Sequence, residues 1–107
     1  STVHSGEVTT AVRSMSVDGI TVREGQAIAF LDGALVLADD SIPEVVDKLL
    51  DKADVGQAGL VTIYYGADTQ QAEAERIGES VREKYPALEV EAVAGGQPHY
   101  NYIISVE

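Results

Sequence analysis

Between Ser41 and Ala53 the apolar residues change period, and that change restricts the folds open to this chain more than any other feature. Ile42, Val45, Val46, Leu49, Leu50 and Ala53 recur at helical spacing and form a single stripe. Ser41-Ile42-Pro43-Glu44 just ahead of them is a capping box. There the serine hydroxyl and the glutamate carboxylate can satisfy amides that a helix start leaves free. Pro43 is tolerated because its missing N–H has no helical partner in that turn. Asp47, Lys48, Asp51 and Lys52 fall on the opposite face, which reads as solvated. A helix is therefore embedded in a chain whose other segments alternate at strand period.

Upstream, Glu7 to Arg13 is β-rich, with Val8, Thr10 and Val12 on the more apolar, inward face. Met15 and Val17 lead to a turn at Asp18-Gly19. Short strands are then predicted at Ile20–Arg23, Ala27–Leu31 and Ala34–Ala38, separated by Glu24-Gly25 and Asp32-Gly33. Downstream, Leu60 to Tyr65 is a nearly unbroken apolar run, as in a strand covered on both faces. Gly66 ends it, and Asp68 or Thr69 is predicted to cap a second helix reaching Tyr85-Pro86. That helix would bury Ala74, Ile77, Gly78 and Val81, with close backbone packing expected at Gly78. Leu88 to Ala94 is a strand with Glu89 and Glu91 outward, completing a βαβ unit. Gly95-Gly96 then turns the chain into an antiparallel final strand, Tyr102–Val106, which belongs inside a sheet because it does not read as a frayed end. Residues 1–107 thus read as a single α/β domain, a two-layer sandwich with a mixed β-sheet, an N-terminal meander and two helices.

Composition narrows the function classes. Eighteen acidic against seven basic residues leave a net charge of −11, which repels phosphate backbones and argues against nucleic acid as a partner. An acidic face could instead steer the chain toward a basic protein. No cysteine is present, so disulfides and thiolate metal sites are excluded. No run approaches the ~20 apolar residues of a transmembrane segment. The opening Ser1 to Glu7 lacks the basic-then-apolar pattern of a signal peptide.

Most motifs of catalysis are missing. There is no phosphate loop of either common type, and Gly66-Ala67-Asp68 is too short to cradle a pyrophosphate. The two histidines, His4 and His99, are far apart, and Asp39-Asp40 reads as a turn more simply than as a Mg²⁺ site. Ser105, His99 and Asp68 could be written down as a triad, but Ser105 lies inside a strand with no nucleophile elbow. Chemistry-bearing side chains gather instead in the turn before the last strand, at Gln97, Pro98, His99 and Tyr100. Tyr65 and Gly66, at the carboxyl end of a strand where α/β sheets bind ligands, join them as candidate contact residues. His99 has two readings, a general base or a ring offered to a partner.

Four segments carry a resemblance: GEVTTAVR (Gly6–Arg13), DGITVREGQAIAFLDG (Asp18–Gly33), LVTIYYG (Leu60–Gly66) and GGQPHYNYIISVE (Gly95–Glu107). Together they resemble the C-terminal domain of bacterial fatty acid kinase, the dihydroxyacetone-kinase-like subunit, which is itself similar to part of the DegV family. The resemblance implies a cytoplasmic, non-catalytic domain that docks the acyl-loaded DegV-like fatty-acid-binding subunit for acyl phosphate formation in phospholipid synthesis. It implies kinase and middle domains in the same chain, with ATP and Mg²⁺ held by the kinase domain and no cofactor held here. Tyr65, Gly66, Gln97, Pro98, His99 and Tyr100 are the expected contacts. Two alternatives remain open, a module that binds an acyl chain itself and a small hydrolase using His99.

Overall fold

The computed structural model describes residues 3–107; Ser1 and Thr2, part of the opening read for a signal peptide, lie outside the described residues. Eight strands and two helices follow in the order β1 (His4–Thr10), β2 (Met15–Val17), β3 (Ile20–Val22), β4 (Ala27–Leu31), β5 (Ala34–Asp39), α1 (Ile42–Lys52), β6 (Leu60–Tyr65), α2 (Gln71–Lys84), β7 (Glu89–Ala94) and β8 (Tyr102–Val106). A short 3-10 turn, Val55–Gln57, links α1 to β6. Six strands form one mixed sheet ordered β5-β4-β1-β8-β6-β7, and β2 with β3 forms a separate ribbon. The α/β class, the mixed sheet and both helices agree with the sequence reading.

Pairing departs from a simple meander. β3 does not continue into β4; instead β4 pairs antiparallel with β1 and with β5. β6 and β7 are parallel, as a βαβ unit requires. β8 does not lie beside β7 but beyond β6, pairing antiparallel with β6 and β1. The final strand is thus central, with Tyr102, Ile104 and Val106 buried. To reach that slot, the segment from Gly95 to Asn101 must pass over the carboxyl end of β6.

Both helices cover the same face of the sheet. Val45, Val46, Leu49 and Leu50 of α1 and Ala74, Ile77 and Val81 of α2 share one core with Val8, Val61, Ile63, Tyr102 and Ile104. Ser41 caps α1, its Oγ accepting from the Glu44 N–H at 3.5 Å. α2 begins at Gln71 without a side-chain cap. The Thr69 hydroxyl, expected at that cap, donates instead to the Asn101 carbonyl at 3.2 Å, because the crossing segment needs an anchor there. β1 starts and ends three residues earlier than predicted, so Gly6 and Val8 face inward while Val12 is 85 % exposed in a loop. Ala11 still exchanges backbone bonds with Gly25 and Gln26, and past it the chain leaves the sheet.

Among the described residues, no helix lies on the opposite sheet face. Register places Val93, Tyr64, Ile103, Glu7 and Phe30 in one row across five strands on that side. The β2–β3 ribbon covers its far end, where Ala11, Val22, Ile28 and Leu35 make a second small core.

Candidate functional site

The segment crossing β6 is held by its backbone. The Gly66 N–H donates to the Asn101 carbonyl at 2.9 Å, and the Ala67 N–H to the Gln97 carbonyl at 3.0 Å. A Cβ on Gly66 would strike the Tyr100 carbonyl oxygen and lie 2.9 Å from that of Gln97. Glycine is required at this point because the crossing chain rests on it. Within the loop the Tyr100 N–H reaches back to the Pro98 carbonyl at 2.9 Å, closing a three-residue turn on His99, whose φ is +72°. Such γ-turns are rare and strained, and non-glycine residues at positive φ concentrate where a loop has work to do. Thr9 of β1 secures the turn from the other side, its hydroxyl donating to the His99 carbonyl at 2.6 Å.

Between this loop and the ribbon lies an open cleft of about 540 Å³ on the helix-free face. β4 contributes Ile28 and Phe30, the chain after β1 contributes Val12, Arg13 and Met15, and the crossing loop contributes His99 and Tyr100. All eighteen carboxylate side chains belong to the described residues, and none of them lines the cleft.

The six candidate residues divide. His99 and Tyr100 stand on the cleft wall. Pro98 is exposed beside them, and its carbonyl closes the turn. Gln97 folds inward, its Nε2 donating to the Tyr64 carbonyl at 3.0 Å, so its amide braces the loop. Gly66 is buried under the loop and offers no side chain, so its part is to admit the crossing. Tyr65 packs against the helix-side core, because strand alternation turns it away from the cleft. Tyr64 shares the cleft's face instead, in the row that ends on Phe30.

Arg13 and Val12 were missed by sequence reasoning, which placed both in a strand. The signal was the polar Arg13-Ser14 pair just before Met15. Ser105 pairs with Ser5 and Thr62 inside the sheet, away from the loop that carries His99. Asp39 and Asp40 engage Lys48 at 2.6 Å and Arg23 at 3.3 Å respectively. Among the described residues, no helix is long and apolar enough to cross a membrane.

The fold and the cleft define a two-layer mixed α/β protein with one sheet face sealed by helices and the other left open. The chain belongs to the FakA-like C-terminal family of fatty acid kinase proteins, whose model matches residues 1–107. It is 36 % identical over 105 residues to protein YloV of Bacillus subtilis (strain 168), covering 98 % of this chain and 19 % of that protein. It is 31 % identical, with the same coverage, to uncharacterized protein SAR1202 of Staphylococcus aureus (strain MRSA252) and to SAUSA300_1119 of strain USA300. The chain therefore spans about a fifth of the length of the curated relatives it matches.

Proposed function

We propose that this chain is a docking domain that recruits the acyl-loaded DegV-like fatty-acid-binding subunit to a fatty acid kinase. Phosphoryl transfer, with its ATP and Mg²⁺, belongs in this reading to a kinase domain elsewhere in the full-length cytoplasmic protein. The observation that carries it is the asymmetry of the sheet, with helices closing one face and an apolar cleft lying uncovered on the other. Open apolar concavities walled by rigid aromatic rings suit protein contact. His99, Pro98 and Tyr100 are the proposed contacts, braced by Gln97 and seated on Gly66.

Calorimetric titration of the chain with the acyl-loaded partner, at two salt concentrations, tests this. Saturable binding is expected, weakened by about tenfold or more in Tyr100→Ala and in His99→Asn. Asparagine is chosen because it tolerates positive φ and removes the ring without opening the turn. A folded wild type that does not bind ends the docking reading.

A second reading has one observation behind it. At about 540 Å³ the cleft is large enough for an acyl chain. Its open side weighs against this, since small-ligand sites bury about 70–90 % of what they hold. Retention of fatty acid by the chain alone would favour that reading.

A further inference from the structure

The charge pattern around the cleft goes beyond the choice of docking face and points to what seats in it. Among the described residues, four of the seven basic side chains are in ion pairs, namely Arg23, Lys48, Arg82 and Lys84. The other three are Arg13, Lys52 and Arg76. Lys52 sits in the last turn of α1, where a cation complements the helix dipole. Arg76 lies on α2 three residues past Glu73, the carboxylate that accepts from the Tyr102 hydroxyl, so the two share one helix face. Arg13 has no comparable use within the fold. It is exposed on the rim of a cleft that contains no carboxylate, in a molecule that carries eighteen.

Beside it stands Val12, the most exposed large apolar residue described. One exposed valine is ordinary. Here it continues an apolar lining made by Met15, Ile28 and Phe30. A guanidinium at the edge of an apolar trough is the complement of an apolar side chain with a carboxylate next to it. The planar fork of arginine binds carboxylate in two parallel hydrogen bonds, and interface hot spots are enriched in arginine.

Resting on the docking reading, we infer that the Ala11–Met15 limb of the cleft anchors an acidic–apolar segment of the partner protein. In it an apolar side chain lies against Val12, Met15 and Phe30 while the adjacent carboxylate pairs with Arg13. A second copy of this chain is a poor occupant, because two bodies of charge −11 repel. A free acyl carboxylate would meet Arg13 but leave its chain wet along the open side.

The probe is the purified acyl-loaded DegV-like protein, titrated into wild type, Arg13→Glu, Val12→Asp and the control Lys52→Glu. Lys52→Glu makes the same charge change as Arg13→Glu but lies on α1. Both cleft variants alter exposed side chains, and near-ultraviolet circular dichroism confirms that they fold. Expected is a loss of about tenfold or more in affinity for Arg13→Glu and for Val12→Asp, with less than about twofold for Lys52→Glu. If the wild type binds and Arg13→Glu binds equally well, the anchor is overturned while docking stands. If the wild type does not bind, docking and anchor fall together. Laurate binding that Arg13→Glu abolishes, with affinity for the DegV-like protein unchanged, would make the occupant an acyl chain and overturn the inference. So would self-association of the wild type in sedimentation that Val12→Asp dissolves.

Discussion

At the scale of single residues, two buried glycines have opposite meanings. Gly66 lies under backbone carbonyls of Gln97 and Tyr100, which cannot yield unless the whole crossing moves. Gly66→Ala is expected to cost about 1–3 kcal/mol, the range for overpacking, as read by urea unfolding. Gly78, expected from sequence to mark a close backbone approach, marks none. A Cβ there would meet only the Arg82 guanidinium at 3.7 Å, which passes over on its way to the Val90 carbonyl. Its substitution by alanine should stabilise the chain by about 0.5–1 kcal/mol, since helix propensity and chain entropy both favour it. A destabilised Gly78→Ala would show that the Arg82 bridge cannot tolerate a methyl group. Tyr102 is buried in the centre of the sheet and its hydroxyl donates to Glu73 at 2.6 Å. Desolvation first, and then that bond, hold its phenol protonated well above the ordinary tyrosine range. Tyr102→Phe is expected to lower stability by about 1.5–3 kcal/mol, the range for a hydrogen bond to a charged group. An unchanged denaturation midpoint would mean that Glu73 finds water instead.

Among elements, the contrast lies between the central strands and the β2–β3 ribbon. β8 is bonded on both sides, by β1 and β6, and buries alternate residues in the helix-side core. The ribbon has three residues per strand and buries Val22 alone. Two-stranded ribbons are marginal by themselves, so this one depends on Val22 resting with Ile28 and Leu35. Amides of β2 and β3 should therefore exchange with solvent by local opening, orders of magnitude faster than those of β8. Equal protection in a hydrogen-exchange time course would show that the ribbon and the sheet unfold as one unit. Since the ribbon forms one flank of the cleft, its opening would also reshape the proposed docking face.

For the whole molecule, the ion pairs set a pH range. Asp32 is held below its ordinary 3.8 by the Ser5 N–H and by His4. Asp39 is lowered by Lys48, and Asp51 by the Tyr85 hydroxyl and then Lys84. Each contributes stability that is present above the unfolded carboxylate value and is lost as pH falls through the lower folded one. Lys48, Lys84 and Tyr85 are raised by the same contacts, so their contribution is present below their unfolded values and is lost as pH climbs through the folded ones. The melting temperature should thus hold from about pH 9 to pH 4 and fall below about pH 3.8. Milder acidity also relieves the repulsion of a −11 chain, which reinforces the plateau. A decline already under way near pH 6 would trace stability to a histidine instead.

Features that depend on neighbours along the chain were legible before any fold was known. The stripe and cap of α1, the Asp32-Gly33 hairpin turn and the limits of β4 and β6 all follow from local periodicity and turn chemistry. So does the final strand, Tyr102–Val106, whose β-branched and aromatic residues favour an extended backbone. Strand order is another matter. That β8 inserts between β1 and β6 is a choice among long-range pairings that bury similar residues, and no local preference distinguishes them. From that insertion comes the crossing over Gly66, and from the crossing come the strained turn at His99 and one wall of the cleft. Alternation sets Tyr64 and Tyr65 on opposite faces of β6, but only the side on which both helices pack decides which tyrosine faces the open side. The cleft draws on residues 9–15, 28–30 and 99–101, segments far apart in sequence that only the closed sheet brings together. Periodicity reaches across a few residues, whereas a binding surface is made where distant strands end side by side.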